Sequence, residues 1–232
     1  MIIAANFKTN MTRLSTKEYV NELTKYLKES SDTNDIFIFP PATALDKFET
    51  PINIGAQNAY ICNTGAFTGE IGLEQLNEFD IKTILIGHSE RRHVLGESNE
   101  EIVKKFNFYK ENNFKIIYCI GETLETREKG YDELIAYLDT QLEGIDLSYK
   151  NLIIAYEPVW AIGTGVVPKE EDILKTHSLL REKVKAPLLY GGSVKVNNSK
   201  EILALENVDG ILVGGASLFV EHFSTMISHA NK

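Results

Sequence analysis

Short apolar runs recur along the chain, each closed by a glycine, a proline or a polar cluster. Between them lie longer stretches whose apolar positions fall three or four residues apart. The runs are Ile2 to Asn6, Asp35 to Phe39, Ile52 to Ala56, Thr83 to Gly87, Lys115 to Ile120, Leu152 to Tyr156, Pro187 to Tyr190 and Gly210 to Val213. All are too short for helices and have the length of buried strands. The periodic stretches predict helices. The first spans Ser15 to Ser30, with Tyr19, Val20, Leu23, Tyr26 and Leu27 on one face and Ser15 and Glu18 as a capping box. A short helix carrying Leu45 and Phe48 follows, then Ile71 to Phe79 and Glu100 to Lys110. Leu124 to Leu142 is a long amphipathic helix that Gly130 can break. Asp172 to Val184, Asn197 to Leu205 and a last helix through Phe219, Phe223 and Met226 complete the set.

Strands that alternate with helices call for a parallel sheet with right-handed crossovers. Eight such units in 232 residues predict a single-domain (β/α)8 barrel spanning residues 1–232. The rival is a doubly wound open sheet, but no G-x-G-x-x-G follows the first strand. In a barrel the C-terminal strand ends share one face, so residues scattered in sequence converge there. Asn6, Lys8, His88, Glu157, Ser193, Gly214 and Gly215 all stand at such ends. Each alone has a plain reading: a solvated lysine, a structural histidine, punctuating glycines. Together they combine a carboxylate, an imidazole, an ammonium and backbone N–H groups that can cradle a phosphate, with a helix start behind Gly214-Gly215. No nucleophile paired to a base, no metal cluster and no cofactor fingerprint is evident, so proton abstraction next to a carbonyl fits best.

The stretch after Glu157, PVWAIGTGVVP, is apolar in its middle and bounded by prolines and glycines. That suits a lid that excludes water, with Gly163 able to add an N–H when it closes. Gln57 to Glu70 is a long turn-rich loop whose Tyr60, Ile61 and Phe67 are costly to leave in water.

Composition narrows the classes. The chain is 43% hydrophobic and 25% charged, an ordinary globular balance. A net charge of −9 argues against nucleic acid or an anionic membrane as partner, so an anion must be held by local donors. Cys62 and Cys119 match neither a disulfide framework nor a zinc spacing, which favours a reducing compartment. No signal peptide or apolar run of membrane-spanning length is present, and the expected location is the cytoplasm.

AYEPVWAIGTG resembles the catalytic-loop signature of triosephosphate isomerases. ANFKTN, GAFTGE, GHSERR and the glycine turns after the last two strands are similar to that family as well, so the match runs from Ala5 to Ser217. The resemblance implies interconversion of dihydroxyacetone phosphate and glyceraldehyde 3-phosphate, in glycolysis and gluconeogenesis, without cofactor or metal. It implies Glu157 as the base, His88 as a neutral electrophile, Lys8 and Asn6 as oxyanion stabilisers, and Glu90 in the site with Arg91 or Arg92 balancing its charge. Gly163, Ser193, Gly214 and Gly215 would hold the phosphate. Cys119 would support the site without acting as nucleophile. The resemblance also implies a homodimer through Gln57 to Glu70, with Thr68 approaching the partner's site. Three departures stand out: Phe7 where the family mostly has Trp, a somewhat short chain, and Val166-Val167-Pro168 at the lid's rear hinge where many members have Lys-Thr-Ala. Another phosphate-binding barrel enzyme, or a barrel retained only for binding, are the alternatives.

Overall fold

Side chains on a strand alternate between two faces, and here both faces are buried, so the strands are apolar throughout. Ala4, Phe37, Phe39, Leu85, Ile117, Cys119, Ile153, Ala155, Leu189 and Leu212 form one inner core. Their neighbours, such as Ile3, Ile36, Ile84, Ile116, Tyr118, Ile154 and Ile211, join a larger outer core shared with the helices. The first set fills the interior of a barrel and the second seals its outer wall.

The computed structural model describes residues 1–162 and 168–231. Among them the elements run β1 (Ile2–Asn6), α1 (Arg13–Glu29), β2 (Asp35–Phe39), β3 (Asn53–Ile54), α2 (Leu73–Glu78), β4 (Thr83–Ile86), α3 (Ser89–His93), α4 (Asn99–Glu111) and β5 (Lys115–Ile120). Then follow α5 (Leu124–Glu128), α6 (Tyr131–Leu142), β6 (Leu152–Tyr156), α7 (Glu170–Arg181), β7 (Leu188–Tyr190), α8 (Val196–Ala204), β8 (Gly210–Val213) and α9 (Val220–His229). The sheet order is β3-β2-β1-β8-β7-β6-β5-β4, all parallel. Ala56 closes the ring just beyond β3. Its N–H donates to Thr83 O at 2.9 Å and its carbonyl accepts from Leu85 N–H at 2.9 Å, a parallel bridge to β4. The result is the expected (β/α)8 barrel.

Three expectations change in detail and one is met. Helix α1 starts two residues before Ser15: Thr12 is the N-cap, and Ser15 is the third helical residue of its capping box. The hydroxyl of Thr12 accepts the Ser15 N–H at 3.2 Å, and that of Ser15 accepts the Thr12 N–H at 2.9 Å, so Glu18 is not needed. The helix expected around Leu45 and Phe48 is one 3-10 turn, Ala42–Ala44. The stretch from Leu124 to Leu142 does break at Gly130, which sits at φ 102°, where a helix cannot continue. Finally, a 3-10 turn, Gly215–Leu218, precedes α9. Among the described residues, no helix is long and apolar enough to cross a membrane.

Candidate active site

Polar side chains are buried where the strands end. Asn6 closes β1, and its Oδ1 accepts the Lys8 N–H at 3.0 Å. This turn puts Lys8 at φ 52°, a left-handed conformation that an L side chain adopts at a cost. Gln57 holds it there, donating from Nε2 to Lys8 O at 2.8 Å and to Phe39 O at 2.9 Å. The ammonium of Lys8 then reaches Glu90 Oε1 at 2.5 Å. Lys8 therefore balances Glu90. Arg91 and Arg92 do not, since each is turned elsewhere. Arg91 pairs with Glu97 at 2.9 Å. Arg92 donates to Gly87 O, Asn99, the Tyr118 hydroxyl and Cys119 O.

His88 follows β4 and caps α3. Its Nδ1 accepts the Glu90 N–H at 3.2 Å. With that lone pair engaged, a neutral ring carries its proton on Nε2, which faces Glu157 Oε1 at 3.2 Å. Glu157 follows β6 and is only 2% exposed. Its other oxygen accepts the Ser89 N–H at 3.1 Å. Two glycines make this geometry possible. A side chain at Gly191 would come within 2.8 Å of Glu157 Cγ. One at Gly121 would strike the Glu157 carbonyl oxygen at 1.7 Å. Cys119 lies in the barrel interior beneath, fully buried. Burial and the neighbouring Glu157 charge hold its thiol well above the usual range, so it packs as an inert group.

A cavity of about 290 Å³ joins these groups to the glycine turns. Asn6, Lys8, His88 and Glu157 line one side, and Gly191, Gly192, Ser193, Gly214 and Gly215 the other. Behind Gly214 the chain makes the 3-10 turn rather than the expected α-helix, and Ser217 ties it off by donating from Oγ to Gly214 O at 2.7 Å. Ile162, at the front of the expected lid, also lines the cavity. Gly163, Val166 and Val167 lie outside the described residues. Thr68 is exposed on the long loop and is not part of this cavity.

Sequence reasoning did not single out Glu122. It follows β5 as Glu157 follows β6, and that shared position was the available signal. Glu122 is fully buried. Its Oε1 accepts from the Tyr156 hydroxyl at 3.1 Å and from Trp160 Nε1 at 2.9 Å. Burial raises its pKa despite these donors. It anchors the residues that lead from the base into the lid.

A family model described as triosephosphate isomerase matches residues 1–230. The chain belongs to the triosephosphate isomerase family. Curated relatives of that name include proteins from Sulfurimonas denitrificans, 57% identical over 99% of this chain and 96% of the relative, and from Sulfurovum sp., 57% identical over 98% and 99%. A Helicobacter pylori triosephosphate isomerase is 50% identical over 98% of both chains. Triosephosphate isomerase membership accounts for the barrel and makes the chain an enzyme of the isomerase class.

Proposed function

We propose that this cavity interconverts dihydroxyacetone phosphate and glyceraldehyde 3-phosphate through an enediolate, as a step of glycolysis and gluconeogenesis. The observation that carries the reading is the juxtaposition of Glu157 and His88 Nε2, 3.2 Å apart, in one cavity with the glycine turns. The turns grip the phosphate with N–H groups and the Ser193 hydroxyl. The carbonyl end then lies against His88, Lys8 and Asn6.

Glu157 takes the proton from the carbon next to the carbonyl. To do so its carboxylate must leave the Ser89 N–H for the substrate, an exchange that its hydrogen-bonded resting position makes reversible. Nε2–H of His88 donates to the carbonyl oxygen, and Lys8 offsets the charge that develops there. Glu90 holds the Lys8 ammonium at the edge of the cavity until an anion arrives. Water must be kept from the enediolate, which would otherwise expel phosphate. The enzyme works in the cytoplasm as a homodimer formed through the loop from Gln57 to Glu70.

The test is turnover of glyceraldehyde 3-phosphate by the purified chain beside Glu157→Gln. The variant keeps the volume and loses the base, so kcat should fall by roughly three orders of magnitude or more with the fold intact. A folded wild-type chain without turnover, or a variant with near-normal turnover, overturns the reading.

A further inference from the structure

We propose that Lys195 is a further substrate-binding residue, supplying the uncompensated positive charge that draws and holds the phosphate group at the glycine turns. The inference rests on the proposed substrate being a phosphate dianion.

The cavity poses an electrostatic problem. The whole chain carries −9, which repels a dianion. Within the cavity lining, Glu157 adds a negative charge. Lys8, the cation beside it, is already paired with Glu90 at 2.5 Å. Until an anion takes Lys8 from Glu90 the pair is neutral, so the free cavity meets an approaching anion with the Glu157 carboxylate and no unpaired cation from this side. Lys195 also lines the cavity, two residues beyond Ser193. It is exposed, and among the described residues its ammonium has neither an ion pair nor a hydrogen bond. It is thus the lining cation whose charge is not spent inside the protein.

Its backbone is fixed although its side chain is free. The Lys195 N–H donates to Asn198 Oδ1 at 2.7 Å, and Asn198 Nδ2 donates to Ser193 O at 3.1 Å. Asn198 therefore clamps Lys195 to the turn that bears the Ser193 hydroxyl. A long flexible stem then leaves the ammonium free to reach an anion at the mouth.

The position is a poor one for stability. Lys195 is the N-cap of α8, where a side-chain oxygen would satisfy free N–H groups, and it makes no such bond. The helix dipole disfavours a cation there, and the first turn of α8 has no acidic residue to offset it. A residue that costs stability where it stands, and faces an anion site, is accounted for by the anion.

The experiment compares wild type, Lys195→Gln, Lys195→Arg and Lys200→Gln. Lys200 lies on α8, is exposed and does not line the cavity, so its variant has the same net charge as Lys195→Gln. At an ionic strength of about 0.02 M, Lys195→Gln should lower kcat/KM for glyceraldehyde 3-phosphate by about three- to tenfold, with the loss falling on KM. At about 0.5 M the difference should shrink below about twofold, since the Debye length falls to a few ångströms. Lys195→Arg should restore the wild-type value, and Lys200→Gln should keep it. Titration with inorganic phosphate should show weaker binding to Lys195→Gln by a similar factor, with thermal stability equal to or above wild type. An unchanged kcat/KM, a loss independent of salt, the same loss in Lys200→Gln, or no rescue by Arg overturns the proposal. If the wild-type chain lacks turnover, the proposed reaction fails, and the phosphate titration still decides the role of Lys195.

Discussion

Buried titratable residues outside the cavity should make the stability of the chain depend on pH, and His177 is the clearest case. It sits on the inward face of α7, fully buried, with its ring centroid 5.8 Å from that of Tyr156 and 6.3 Å from that of Tyr190. Its Nδ1 meets Asn207 O at 3.0 Å, while Nε2 has no partner. Burial lowers its pKa to about 4, with Arg181 nearby pushing the same way and the Asn207 carbonyl and Asp209 opposing. The unfolded chain binds the proton near pH 6.5 and the folded chain does not, so folding loses stability as pH falls through 6.5 towards 4. Between pH 7.5 and pH 5 this group should cost roughly 2 kcal/mol. His177→Phe should lower stability near pH 7.5, because the bond to Asn207 is lost, and should flatten the decline below it. Urea midpoints of both proteins across that range decide the matter. Parallel pH profiles would mean that folding does not lower the His177 pKa.

At the scale of elements, glycines set how closely strands approach, and the two ends of β8 show two different uses. A Cβ on Gly210 would meet Ile2 O at 1.8 Å, where β1 and β8 pair, whereas one on Gly215 would meet nothing within 4 Å. Gly210→Ala should therefore force the β1–β8 seam apart and cost about 3 kcal/mol or more. Gly215→Ala should leave stability within about 0.5 kcal/mol and still lower kcat/KM by roughly tenfold, because its open space belongs to the cavity proposed to hold the phosphate. Thermal melts beside turnover separate the two; a destabilised Gly215→Ala or a stable Gly210→Ala contradicts the account. The same contrast explains what could be read from sequence. The strands were legible because both faces are buried, and each ends where a Gly, Pro or polar residue interrupts the apolar run. Asn6, Lys8, His88, Glu157 and the glycine turns were legible because a barrel gathers strand ends. The start of α1 was not, since Thr12 and Ser15 are both good caps and only their mutual hydrogen bonds choose between them. The partner of Glu90 was also hidden. Nearby Arg91 and Arg92 compete with Lys8, which is 82 positions away, and the left-handed turn at Lys8 decides the outcome.

At the scale of the whole molecule, the catalytic face continues into an uncovered region. A second cavity of about 680 Å³ shares Asn6, Lys8 and His88 with the first and extends past Gln57, Glu70 and Arg91 to Leu95. Leu95 (66% exposed) lines it, and Val94 (75%) and Phe67 (44%) stand within two residues of its lining in the chain, large apolar side chains that a lone chain leaves in water. Phe67 packs on Tyr60 at 4.6 Å between ring centroids, so the tip of the long loop is preformed rather than loose. A second copy that covers this region would remove the exposed apolar surface and close the open flank of the site beside Lys8. Activity should then depend on association. Phe67→Asp, which places a charge in the proposed contact without touching the cavity of its own chain, should shift the proposed dimer to monomers in sedimentation velocity. It should also lower kcat by roughly two orders of magnitude, because water would reach the flank that the partner otherwise covers. High protein concentration should restore both dimer and activity in parallel, as mass action requires. An active monomeric wild type, or a monomeric variant with full turnover, would show that each chain completes its own site.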